Sequence, residues 1–299
     1  MRIGLVVNPT AGRERAARFH SGIARQLTHH GHAVADLSAH DAATALANAR
    51  VEVADLDALV VVGGDGVVQL GLNAVAGTAV PLGVIPLGSG NDNATGFGIP
   101  RDPRAALDLL VHQLEHRPTG LRTDALRVDT TSGTRWAMAT LSCGIDAVVN
   151  ERANRMRRPQ GALRYPAALA TVLPRYANPR YHVVADGWEW EGRAVVVAVS
   201  NVGWFGGGMN VAPSARPDDG LADVVIGGDI GRLRLLGLFP RIYGGGHVTH
   251  PQVDVRRARR LSITADTPRQ AYADGEFVGD LPVTVEVVPG AVRILRQAT

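Results

Sequence analysis

Residues 58–63, ALVVVG, run with no polar side chain straight into Gly63-Gly64-Asp65-Gly66, and an apolar-rich stretch with helical spacing follows at 67–76. A strand that is apolar at every position has both faces buried, which is the signature of a parallel sheet covered by helices. The pattern recurs. RIGLVV at 2–7 enters NPTAG at 8–12 and an Arg/Ala-rich helix over about 12–30, and PLGVIP at 81–86 enters the turn LGSGND at 87–92. HAVADL reads as a further short strand, 41–50 as a helix, and 103–115 as a helix with Pro103 near its first turn. Alternating strands and helices predict an α/β sheet, which binds ligands at the carboxyl ends of its strands, where all three glycine turns fall.

From about residue 123 the pattern changes. DALRVDTTSGTRWAMATLSCG reads as two strands joined at Ser132-Gly133, and an Arg-rich segment covers 150–180. YHVVADG, AVVVAVSN, LADVVIGG, RLSITAD, VTVEVVPG and VRILR then read as short strands, with one helix over 232–246. The predicted fold is α/β plus all-β: an α/β domain with a parallel sheet at 1–122 and a β-sandwich at 123–299.

Composition narrows the chemistry. Of 299 residues 45% are hydrophobic, which is the composition of a folded globular chain. One cysteine, Cys143, permits no internal disulfide and no cysteine cluster for zinc. No apolar run approaches the ~20 residues of a membrane span, and the apolar start of the chain is too short for a signal peptide. The expectation is a cytoplasmic protein, peripheral at the inner membrane face. There is no lysine, so a Walker A loop is excluded. The net charge of +3 rests on arginine, whose planar fork suits phosphate.

A glycine turn between strand and helix brings main-chain N–H groups close to an anion, and the helix start adds a favourable partial charge. Asp65 in such a turn repels phosphate unless it handles Mg²⁺ or takes a proton from an attacking hydroxyl. A plain β–α turn with a solvated Asp is the alternative. Two such turns at neighbouring strand ends would form one crevice. Asn91 and Asp92 are also suited to capping the following helix. A dinucleotide fold would need Gly-x-Gly-x-x-Gly after the first strand, which residues 8–13 do not supply.

Taken in order, NPTAG, VVVGGDGVVQ, PLGVIPLGSGNDNATGFGIP, then NVGWFGGGMNVAPSARPDDGLADVVI at 201–226 and YADGEFVGDLPVTVEVVPGAVRIL at 272–295 resemble the diacylglycerol kinase catalytic-domain family, which includes bacterial lipid kinases and sphingosine kinases. The resemblance covers nearly the whole chain. It implies a nucleotide-binding α/β domain, a β-sandwich and an active site in the cleft between them. It also implies ATP- and Mg²⁺-dependent transfer of the γ-phosphoryl group to a lipid hydroxyl, most simply a diacylglycerol-like one. By resemblance Gly63, Gly64, Asp65 and Gly66 line the phosphates, while Asn8, Gly88, Ser89, Gly90 and Asn91 help hold the nucleotide. Asp274 is assigned as general base and Glu276 to Mg²⁺ or orientation, with Asp65 the rival for base or metal. Asp219 and Leu221 of DDGL would form a structural metal loop.

The chain departs from the family at Val67, where a threonine is usual, and at Gln69-Leu70, where Asn-Glu is usual. A catalytically impaired nucleotide-binding relative, or a kinase of a small soluble acceptor such as NAD, therefore stays open. Arg-rich segments at 154–166 and 256–260 offer transient contact with anionic membrane surfaces. Residues 151–180, with Tyr165, Leu169, Val172, Leu173 and Tyr176, are predicted to cover the lipid tail. Nothing indicates nucleic-acid binding, a homodimer is left open, and His247 and His250 read as helix-end residues.

Overall fold

The computed structural model describes residues 1–7, 13–88, 90–116, 118–156, 158–159 and 163–297, with residues 13–20 described for their backbone only. The chain divides into two compact units, Met1–Asp124 with Gly290–Thr299, and Ala125–Pro289.

In the first unit the order is β1 (Arg2–Val7), α1 (Arg13–His29), β2 (Ala33–Asp36), α2 (Ala42–Glu52), β3 (Ala58–Gly63), α3 (Asp65–Val75), β4 (Leu82–Pro86), α4 (Asp92–Gly96) and α5 (Pro103–His116). Strands β2-β1-β3-β4 pair in parallel, with Val7 beside Val62 and Gly63 beside Pro86. That register aligns the carboxyl ends of β3 and β4. Residues of β3 are buried throughout, as continuous apolarity requires. Ile3, Leu5, Val60, Val62 and Ile85 pack with Leu107, Leu110 and Leu114 of α5.

The next elements are β5 (Leu121–Thr130), β6 (Gly133–Ala137), β7 (Thr140–Gly144), α6 (Ile145–Arg155), α7 (Arg164–Val172), β8 (Arg180–Ala185), β9 (Trp188–Arg193), β10 (Val196–Ser200), β11 (Trp204–Phe205), β12 (Met209–Asn210), β13 (Ala222–Gly227), α8 (Arg232–Tyr243), β14 (Val253–Ala258), β15 (Arg260–Ala265), β16 (Gln270–Ala273), β17 (Glu276–Asp280) and β18 (Val283–Ile294). In the second unit β14-β13-β10-β7-β16-β17 form one antiparallel sheet. Alternate residues of that sheet, among them Leu141, Cys143, Val197, Val199 and Val224, meet Tyr181, Val183, Leu261, Ile263 and Val285 in one buried core. This is the predicted sandwich. A second core joins Ile145 and Val149 of α6, Leu169 of α7 and Leu235 and Leu238 of α8 to Val195 and Ile230.

Three expectations are corrected. Residues 123–144 hold three strands, since Met138 and Ala139 break the run. The Arg-rich segment contains α6 and α7, whose apolar faces are spread among arginines. The C-terminal residues belong to the first unit, because β18 is one strand and not two. Its start pairs with β15, and Ile294 lies parallel to Leu82 of β4. Pro289-Gly290 reads as a turn in sequence, yet Gly290 keeps the strand going at φ 60°, its N–H donating to Asp124 Oδ1 at 2.8 Å. The division at 124/125 therefore replaces 122/123, with a returning tail.

Candidate functional site

In the first unit two glycine turns touch. Leu87 N–H donates to Gly63 O at 2.8 Å. A Cβ on Gly88 would lie 2.5 Å from the Cα of Gly64, and only hydrogen fits there. Helix α3 begins at Asp65, two residues earlier than the sequence spacing indicates, with Gly64 as its N-cap. The first N–H groups of such a helix have no partner inside it and face the turn. Asn91 sits in the left-handed region at φ 58°, and its side chain closes the second turn. Its Oδ1 accepts from Gly88 N–H at 3.0 Å and its Nδ2 donates to Gly88 O at 2.9 Å.

Asp65 fastens the turns to each other. Its Oδ1 accepts from the main-chain N–H of Asn93 at 3.0 Å and from Asn93 Nδ2 at 3.2 Å. Asn93 is 1% exposed, and its Oδ1 has no hydrogen-bond partner. Sequence reading missed it, because nothing in the spacing marks the third residue past GSG. Gly63, Gly64, Asp65, Gly66, Gly88, Gly90 and Asn91 are thus in or beside one crevice. Asn8 and Ser89 lie outside the described residues. Val67 and Leu70 are buried on the inner face of α3, while Gln69, the third departure from the family, is half-buried.

In the second unit Asp274 and Gly275 form the tip of the β16–β17 hairpin, with Asp274 at φ 51°. The Asp274 carboxylate is buried and accepts three main-chain N–H groups: Met138 at 2.7 Å, Ala139 at 2.9 Å and Thr140 at 3.1 Å. Its own N–H donates to Thr140 O. A carboxylate offers about four acceptor positions, and three serve the chain between β6 and β7. Asp274, read from sequence as the base, acts here as the fastening of its own turn. Glu276 differs. Its side chain reaches the surface with no hydrogen bond or ion pair among the described residues, yet surrounding protein desolvates its carboxyl enough to raise it above the usual range.

The predicted metal loop has another occupation. Asp219 accepts from Leu221 N–H at 3.1 Å and pairs with Arg257, which also reaches the buried Asp223. Among the described residues no three His, Cys, Asp or Glu side chains cluster to hold a metal ion. Two further arginines of 256–260 are similarly engaged: Arg256 with Asp254 and the face of Trp188, and Arg260 with Glu286. His247 and His250 close the 3-10 turn Gly246–Thr249, His250 N–H donating to His247 O at 3.0 Å, while His247 Nε2 meets Val211 O at 2.9 Å and Gln252 N–H reaches His250.

An apolar cavity of about 90 Å³ lies in the second unit, walled by Tyr165, Leu169, Val196, Leu235, Leu238 and Phe239 among others. Tyr165 and Leu169 come from the segment predicted to cover a lipid tail. Asp146, at the start of α6, also lines it, with neither carboxylate oxygen hydrogen-bonded in good geometry. Burial pushes its carboxyl up to about 6, offset in part by the Ser142 hydroxyl and the amides of Ala147 and Asp146 itself. His247 lines the same cavity, its ring held below the usual range chiefly by burial. No sequence signal pointed to Asp146.

Residues 2–120 match the family described as the diacylglycerol kinase catalytic domain, and residues 139–296 match the YegS C-terminal NAD kinase beta sandwich-like domain. A diacylglycerol kinase of Mycobacterium tuberculosis is 36% identical over 99% of this chain and 95% of its own length. The chain belongs to the diacylglycerol kinase family. A probable YegS-like lipid kinase of Stenotrophomonas maltophilia is a further relative, 31% identical over 80% of this chain and 78% of its own length. Among solved structures a putative diacylglycerol kinase from Bacillus anthracis has the same fold, with a TM-score of 0.80 at 20% identity over 99% of this chain and 97% of that one. An NAD kinase from Archaeoglobus fulgidus in complex with ATP follows at 0.53 and 15% identity, covering 99% and 94%. The family is one of lipid kinases, and no helix among the described residues is long and apolar enough to cross a membrane.

Proposed function

We propose that the chain transfers the γ-phosphoryl group of ATP, with Mg²⁺, to the hydroxyl of a diacylglycerol-like lipid. The observation that carries this reading is the apolar cavity walled by α6, α7 and α8. Apolar walls suit an acyl chain, whereas a soluble polar acceptor would leave them unfilled.

The main chain at 63–66, with Gly90 of the second turn beside it, binds phosphate oxygens, supported by the start of α3. The glycine contact keeps the turns close enough to share one ligand. Asp65, whose Oδ1 is held by Asn93, would offer its other oxygen to Mg²⁺. Bound there, Mg²⁺ would neutralise phosphate charge. Glu276 takes the proton of the acceptor hydroxyl as the new O–P bond forms and the bond to the ADP oxygen breaks. Its raised carboxyl suits that task better than the hydrogen-bonded Asp274.

The test is transfer of label from γ-labelled ATP to diacylglycerol, with NAD as the competing acceptor. Label enters the lipid, and chelation of divalent metal stops it. Glu276→Gln lowers the rate about a hundredfold or more with the melting temperature unchanged. Label in NAD, or full activity in Glu276→Gln, overturns the corresponding part of the reading.

A further inference from the structure

Helix α8 has two apolar faces. Leu235, Leu238, Phe239 and Ile242 face the cavity. Leu233, Leu236, Pro240 and Tyr243, spaced i, i+3, i+7 and i+10, share the opposite side. Leu233 is 85% exposed, Leu236 53% and Tyr243 42%. Exposed large apolar side chains aligned on one face mark a contact surface. The helix has no acidic residue, and Arg232, Arg234 and Arg241 flank the stripe. Among the described residues their side chains bond only neutral oxygens, those of Tyr176, Gln252 and Thr249. Elsewhere in the unit Arg256, Arg257 and Arg260 are offset by carboxylates.

We propose that the outer face of α8 docks the protein on an anionic lipid bilayer, with Leu233, Leu236 and Tyr243 entering the acyl boundary and Arg234 and Arg241 meeting headgroup phosphates. Cations beside an apolar stripe complement such a surface, which attracts each arginine and accepts the leucines. The same helix then has the bilayer on one side and the cavity wall on the other. That link to acceptor delivery rests on the proposed lipid-kinase reading, whereas the docking itself does not.

The experiment is co-sedimentation, without nucleotide, on phosphatidylcholine vesicles with and without phosphatidylglycerol. The full chain binds the anionic vesicles. Leu233→Asp/Leu236→Asp lowers binding about tenfold or more, and Arg234→Gln/Arg241→Gln lowers it about tenfold at low salt. Melting temperatures stay unchanged, and so does transfer to a monomeric short-chain diacylglycerol. Binding that ignores phosphatidylglycerol, or survives both double variants, overturns the proposal. So does a dimer, seen by sedimentation velocity, that only the aspartate variant dissolves, since the stripe would then serve a second copy of the chain. Loss of transfer to every lipid with vesicle binding intact rejects the kinase reading and leaves the docking standing.

Discussion

The crevice of the first unit is made of main chain, and the cavity of the second is made of side chains. In the crevice two glycines meet at a distance that excludes a methyl group, and one carboxylate oxygen and one amide hold the turns in register. In the cavity apolar residues from three helices and several strands enclose space, with the buried Asp146 carboxyl in the lining. A main-chain anion site is specified by a few residues that must be glycine at fixed places. An acyl site is specified by volume, which many combinations of apolar residues supply. The same contrast holds between two buried aspartates of the second unit: Asp274 is hydrogen-bonded three times and Asp146 not at all in good geometry.

The contrast between the aspartates is broken most severely at Asp274. Asp274→Ala leaves three buried N–H groups without their acceptor, and at about 1–3 kcal/mol each the loss is about 3 kcal/mol or more. Chemical denaturation measures it. A variant with unchanged stability and lost transfer would restore Asp274 as the base. Asp146 goes the other way. Its carboxyl rises from the ordinary aspartate value of 3.8 to about 6. Folding therefore favours the protonated form, so the group costs nothing below the unfolded value, and its penalty grows as pH climbs between the two and is complete above the folded one. Asp146→Asn lacks this dependence. Relative to the parent its stability should rise by about 2 kcal/mol between pH 4 and pH 7, at up to about 1.4 kcal/mol per pH unit. Denaturation curves at the two pH values check it, and a flat difference would mean the carboxyl is better solvated than the cavity implies.

The crevice answers to a smaller change. Gly88→Ala puts a methyl group against the main chain of Gly64, where no side chain can move aside. Overpacking of this kind costs about 1–3 kcal/mol, and the turns separate. Affinity for ATP, followed by calorimetry, should fall at least tenfold while vesicle binding by the second unit is unaffected. Equal affinity would show that the turns need not touch to hold phosphate.

These differences explain what the sequence made legible. The β1, β3 and β4 strands and their turns were readable, because continuous apolarity and glycine are both local signals. The crevice followed from two such turns on adjacent strands. Helices α6 and α7 were hidden, because their buried residues are interrupted by arginines whose stems pack while their charges stay wet. The long β18 was hidden by Pro289-Gly290, a dipeptide that spells a turn except where Asp124 receives the glycine N–H. Asn93 and Asp146 carry no spacing signal. Each matters through a neighbour brought close by folding, Asp65 in one case and the walls of the cavity in the other.

The smallest expected effect separates the two readings of the DDGL loop. Asp219 and Arg257 are 26% and 46% exposed, and a pair so open to water is worth about 0–1 kcal/mol. Asp219→Ala should therefore shift stability by no more than that, equally with and without added Mg²⁺ or Ca²⁺, since Arg257 retains the buried Asp223. A loop built to hold a cation behaves otherwise. The parent would then gain stability with added metal, by mass action on the folded state, and the variant would lose that gain. Thermal melts across a metal titration distinguish the two outcomes. A metal-dependent difference would mean that Arg257 occupies the carboxylate only while the cation is absent.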